Sequence, residues 1–96
     1  MSPRRTDHNQ AEIVKALRDV GATVQDLHLV GHGCPDILVG FRGKNYVMEI
    51  KMPKGTLEAD QRDWIGEWQG KTHVVRSVDE ALLAIGAIVY TTGGSR

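Results

Sequence analysis

Cysteine is almost missing from this chain of 96 residues. Cys34 stands alone, which excludes an intramolecular disulfide and a multi-cysteine zinc site and fits a reducing compartment. An excess of either charge is also missing, since 12 Lys and Arg balance 12 Asp and Glu. That argues against a generally sticky polyanion binder and turns attention to local charge. No apolar run approaches the ~20 residues of a membrane span, and the opening Met-Ser-Pro-Arg-Arg-Thr-Asp-His lacks the apolar centre of a secretory leader. A cytoplasmic protein with no membrane association is therefore expected. Repeats and low-complexity tracts are lacking too. Four histidines (His8, His28, His32 and His73) are scattered without ligand spacing on a shared element. What remains is ordinary globular composition, 41% apolar and 25% charged, enough for one domain over 1–96. Its core is expected at about 7–86, with 91–96 disordered.

The most informative pattern is Pro35-Asp36, then twelve residues, then Glu49-Ile50-Lys51. The run Asp36–Phe41 is apolar and β-branched enough for a buried strand, as is Tyr46–Lys51, and Arg42-Gly43-Lys44-Asn45 between them carries turn chemistry. Side chains alternate faces along a strand, so register decides what meets what. If Arg42-Gly43 alone forms the loop, Phe41 pairs with Lys44 and Asp36 lies across from Glu49. A four-residue loop shifts the partner by two and keeps both carboxylates on one face; a three-residue loop separates them. Glu49 and Lys51 share a face in every case, and they interrupt a strand from which charges are normally excluded. Two carboxylates held together disfavour double ionisation unless a cation is present. Oxygen ligands suit Mg²⁺ or Mn²⁺, and a nearby lysine can orient water or neutralise charge on phosphorus. The chemistry this suggests is metal-assisted phosphodiester hydrolysis.

Around this hairpin the sequence predicts a helix capped by Asp7 or Asn9 and running to about Val20, stopped at Gly21. A strand over Thr23–Val30 follows, broken by Gly31-His32-Gly33. Pro53 ends the third strand, Thr56 caps a helix from Leu57 to about Gln69, and Lys71–Ser77 reads as a fourth strand. Ser77 or Asp79 caps a last helix through about Ile85, and Ala87–Tyr90 fits either more helix or a short strand. On the second helix Trp64 is expected in the core, while Trp68 is left between core and a base-stacking role. The order α-β-β-β-α-β-α implies an α/β fold with a mixed sheet and helices on its faces, an α+β arrangement. Arg42, Lys44, Lys51 and Lys54 cluster around the hairpin, and Arg4 and Arg5 add a basic arm; such patches engage phosphates.

The segments Gly31-His-Gly-Cys-Pro-Asp-Ile-Leu-Val-Gly, Val47-Met-Glu-Ile-Lys and Leu57-Glu-Ala-Asp-Gln-Arg-Asp-Trp together resemble the VRR-NUC domain of the PD-(D/E)xK nuclease superfamily. The resemblance spans about Glu12 to Leu82, in the compact form of the stand-alone phage and bacterial versions. It implies a restriction-endonuclease-like core in which Asp36 and Glu49 are metal ligands and Lys51 is the catalytic lysine. It further implies the main-chain carbonyl of Ile50 as a ligand, Glu12 on the first helix as a third acid, and Gln61 lining the site. It departs from the family where a basic residue and an aromatic often precede Pro-Asp; His32 and Cys34 occupy those places, and His32 is a candidate phosphate donor.

The function so implied is a Mg²⁺- or Mn²⁺-dependent endonuclease, a homodimer cutting branched DNA such as Holliday junctions. A nuclease acting on RNA or single strands is an alternative the same residues admit. A non-catalytic nucleic-acid-binding module is another, and the intact Asp-Glu-x-Lys set argues against it.

Overall fold

The computed structural model describes residues 8–89. Arg4, Arg5, the Asp7 cap, Tyr90 and the 91–96 tail lie outside that range. Seven elements follow in the expected order: α1 His8–Asp19, β1 Thr23–Asp26, β2 Ile37–Phe41, β3 Lys44–Ile50, α2 Ala59–Glu67, β4 Thr72–Val75 and α3 Val78–Ala84. They form a compact α+β domain around one mixed sheet of order β1-β2-β3-β4. The first three strands run antiparallel, and β4 pairs parallel to β3. Among the described residues no helix is long and apolar enough to cross a membrane.

The turn between β2 and β3 settles the register. Arg42 and Gly43 both have positive φ, 51° and 82°, the signature of a type I′ hairpin. Phe41 accordingly pairs with Lys44 and Ile37 with Met48, which is the two-residue solution. Just before that ladder, Asp36 bonds to the residues on either side of Glu49, its amide to the Met48 carbonyl and its carboxylate to the Ile50 amide.

Alternation divides the sheet into two unlike faces. Ile37, Val39, Phe41, Met48, Ile50 and Val75 point to one side and are buried. There they meet Ile13 and Leu17 of α1, Ala81 of α3 and Ile85 in a continuous core. The other side carries Leu38, Val47, Val74, Asp36, Glu49 and Lys51. Ser77 caps α3 by accepting from the Glu80 amide at 3.1 Å.

Several element boundaries differ from expectation. The first strand stops at Asp26 rather than Val30, because the Asp26 carboxylate accepts from the His28 amide at 2.8 Å and closes a side-chain turn. Asn9 lies inside α1 rather than capping it, and its amide serves the sheet instead. The second helix starts later than Leu57, with Glu58 rather than Thr56 at its N-cap, because the Gln61 side-chain Oε1 accepts from the Glu58 backbone amide at 2.8 Å. It ends at Glu67, where Trp68 turns extended.

Trp64 is not a core residue. No residue of α2 is buried. Trp64 stacks instead on the half-exposed Trp68, with ring centroids 4.6 Å apart and planes at 17°. Residues 85–89 form turns and bends, neither helix nor strand, and Val89 is exposed.

Candidate metal centre

Asp36 and Glu49 are the two buried charged residues among those described, at 6% and 2% exposure. Asp36 sits at the entrance to β2. Its amide donates to the Met48 carbonyl at 3.0 Å, and its Oδ2 accepts from the Ile50 amide at 2.8 Å. The carboxylate is thereby held against the C-terminal end of β3. In a strand the N–H and C=O of one residue point to the same side, so the Ile50 carbonyl also faces the Asp36 side. Two carboxylates and one carbonyl therefore converge at one end of the hairpin.

Glu49 is supported from the other direction. The Gln61 Nε2 donates to Glu49 Oε2 at 3.0 Å, and Lys51 Nζ stands 3.6 Å from the same oxygen. Gln61 is thus shared: one end of its amide closes the first turn of α2 and the other holds Glu49. This is how a helix with no buried residue is tied to the sheet. The second tie is steric. Gly33 is buried with φ +83°, and a Cβ there would overlap the Asp60 carbonyl of that same first turn.

Burial pushes the Glu49 carboxyl up to about 7, and the negative charge of Asp36 pushes it the same way; Lys51 opposes both. Cys34 is drawn into the same environment. Its thiol is raised by burial and then by the charges of Glu49 and Asp36.

The remaining predicted residues fall into two groups. Gln61, Lys51 and the Ile50 backbone are assembled around the two carboxylates. Glu12 is exposed on α1. Among the described residues no group of three His, Cys, Asp or Glu side chains stands ready to hold a metal, so Glu12 does not complete a triad with Asp36 and Glu49 here. His32 is exposed, as are Arg42, Lys44 and Lys54. Arg42 lies over the Phe41 ring at 4.7 Å. Arg42 and Lys44 flank the turn at the far end of the hairpin, about 17 Å from Asp36 at the rise of a strand, and so do not line the site. Arg4 and Arg5 lie outside the described residues.

One residue near the site escaped the sequence reading. Asn9 donates to the Lys51 carbonyl at 2.6 Å and lies 3.3 Å from the Arg76 carbonyl, pinning the ends of β3 and β4 together beside the lysine. Its position ahead of an amphipathic helix suggested a cap, and nothing local in the sequence signals a partner 42 residues away.

As a donor set the site is hard and all-oxygen: two carboxylates and a carbonyl. Mg²⁺ characteristically takes only one or two carboxylates and keeps several waters. No protein-family model matches the chain, and no curated protein or solved structure is significantly similar to it.

Proposed function

We propose that this protein is a divalent-metal-dependent endonuclease that hydrolyses phosphodiester bonds in DNA. The observation that carries this reading is the buried pair Asp36–Glu49 with Lys51 beside it. A pair of carboxylates is costly to bury together, and nothing in the core requires it. Burial, and after it the charge of Asp36, raise the proton affinity of Glu49, and a cation bound between the carboxylates would offset that repulsion. Asp36, Glu49 and the Ile50 carbonyl would hold Mg²⁺ or Mn²⁺, the ions that this oxygen donor set favours. Such an ion supplies Lewis acidity toward the phosphate and a bound water of lowered pKa.

The chain's own groups supply the rest. Lys51 places a cation at the rim of the site, 3.6 Å from Glu49, where it can orient the attacking water or offset charge gathering on the phosphate oxygens. Gln61 holds the Glu49 carboxylate in one orientation from α2. Asn9 fixes the Lys51 peptide from α1. Cys34 lies close enough to both carboxylates for their charges to raise its thiol.

Branched DNA as substrate and a homodimeric assembly belong to the same proposal and rest on the VRR-NUC resemblance. The exposed Ile88 and Val89 offer an apolar contact for a second copy. The test is cleavage of labelled four-way junction, duplex and single-stranded DNA by wild type and Lys51→Ala, with Mg²⁺, Mn²⁺ or EDTA. Paired metal-dependent cuts in the junction, lost in the variant, are expected. Binding of junctions without cleavage under either metal would favour a non-catalytic binding module.

A further inference from the structure

We propose that Arg76 is a substrate-positioning residue, binding a DNA phosphate that flanks the one attacked; this rests on the nuclease reading above. Three observations place it. First, register: β3 and β4 are parallel with Glu49 beside Val74 and Ile50 beside Val75. The next residues along, Lys51 and Arg76, are therefore neighbours, and the Lys51 amide donates to the Val75 carbonyl at 3.0 Å as that register requires. Second, the Asn9 amide nitrogen reaches the carbonyls of both residues, at 2.6 and 3.3 Å. Third, the side chain is located independently of the strands. A guanidinium nitrogen of Arg76 donates to the Gly55 carbonyl at 3.1 Å, and a Cβ built on Gly55 would lie 3.6 Å from the Lys51 Cβ.

Arg76 thus stands beside the lysine, on the face that carries Glu49. A guanidinium has five donors in a planar fork suited to phosphate, and the Gly55 bond engages one nitrogen of it. Glu80 Oε1 accepts from the Arg76 backbone amide at 2.7 Å, but among the described residues no carboxylate forms an ion pair with the Arg76 guanidinium. A half-buried guanidinium tethered at one nitrogen to a carbonyl and lacking an ion-pair partner is prepared for an anion that the fold does not supply. Glu49 pairs with Val74 in the ladder, so Arg76 lies two residues further along the neighbouring strand, beyond the carboxylates. Its phosphate is therefore a neighbour of the reacting one. With Lys54 in the adjoining turn, Arg76 gives the strand a path along the β3–β4 end of the sheet, in place of the distant Arg42 and Lys44.

The experiment follows Mg²⁺-dependent cleavage of labelled DNA by the full chain across a series of KCl concentrations, for wild type, Arg76→Gln and Arg76→Lys. Loss of one charge-assisted phosphate contact raises KM about tenfold in Arg76→Gln while kcat is kept. The slope of log(1/KM) against log[KCl] falls in magnitude by about 0.9. Arg76→Lys restores that slope because it restores the charge. If Arg76 merely braces the 52–55 turn, both variants melt earlier than wild type with the salt slope unchanged, and the proposal is overturned. Equal KM and slope in all three proteins overturns it as well while leaving the nuclease reading intact. Absence of metal-dependent cleavage in wild type removes the nuclease reading and this inference with it.

Discussion

The two faces of the sheet are built from the same strands and obey opposite rules. Under α1 and α3, every inward side chain of β2 is apolar and buried, and Met48, Ile50 and Val75 continue that surface. One residue out of phase, the same strands bury Asp36 and Glu49 and present Lys51. The helix on that side, α2, has no buried residue and is held by Gln61 and by the close approach at Gly33. Alternation thus lets a small domain keep its apolar core on one face and its buried charges on the other. The unfavourable term, a buried carboxylate pair, is kept off the core. Substitutions on the first face should alter stability without altering the site, and those on the second should do the reverse.

The largest effect expected on stability is Leu17→Ala. This side chain is completely buried between α1 and the sheet, and its truncation should cost about 2–5 kcal/mol in a urea melt. Cleavage per folded molecule should be retained; a loss of activity larger than the loss of folded protein would mean that the faces are coupled. On the other face, Asp36→Asn keeps an acceptor for the Ile50 amide but removes a charge. It should reduce cleavage by about 10²–10³, taking the cost of removing one electrostatic group from a reacting centre, with a melting temperature equal to or above that of wild type.

Gly33→Ala tests the attachment of α2 itself. At φ +83° and against the Asp60 carbonyl, the added methyl should cost about 1–3 kcal/mol. Because the strain falls on the first turn of α2, it should also release Gln61 from Glu49 and change the fluorescence of the Trp64–Trp68 stack. Unchanged tryptophan emission would show that the stack does not depend on this docking.

The pH dependence follows from Glu49. Its folded-state pKa, about 7, lies above the ordinary 4.5, so between these values the folded metal-free protein binds more protons than the unfolded chain. Stability therefore falls as pH rises through that window, by roughly 1–3 kcal/mol. Glu49→Gln should flatten the profile, as seen in denaturant melts at pH 4.5 and 8 without metal. The smallest effect belongs to the exposed Lys15–Asp19 pair on α1, 2.9 Å apart one turn along the helix. Asp19→Ala should cost about 0.3–0.5 kcal/mol and diminish in salt, touching neither face.

What the sequence made legible was whatever depends on short-range periodicity. The alternation of Asp36–Phe41 and Tyr46–Lys51 and the turn chemistry between them narrow the hairpin to a few registers, two of which put Asp36, Glu49 and Lys51 on one face, and the structure takes the two-residue loop. Ser77 as a cap was equally local. What escaped was set by distant partners. The parallel pairing of β3 with β4 determines that Arg76 neighbours Lys51, and no pattern inside Lys71–Ser77 carries that information. Asn9 spends its amide on the sheet rather than on its own helix. Trp64 sits at helical spacing with Trp68 and beside Ile65, which implies a core-facing stripe, yet α2 is anchored by a polar contact and a glycine and leaves Trp64 and Ile65 only half-buried and Trp68 exposed. The distance of Arg42 and Lys44 from the carboxylates was within reach of strand arithmetic, since a turn and a site at opposite ends of one hairpin are a strand length apart.

The central claim, that the charged face is a metal centre, is tested most directly by titrating the metal-free protein with Mn²⁺ in a calorimeter at pH 6, 7 and 8, beside Asp36→Asn and Glu49→Gln. The account predicts saturable binding in wild type. The affinity should strengthen as pH rises toward 7 and Glu49 gives up its proton, level off above it, and be lost or greatly weakened in both variants. Mn²⁺ binding of the same strength and pH profile in wild type and Glu49→Gln, or no binding by any of the three, would contradict it.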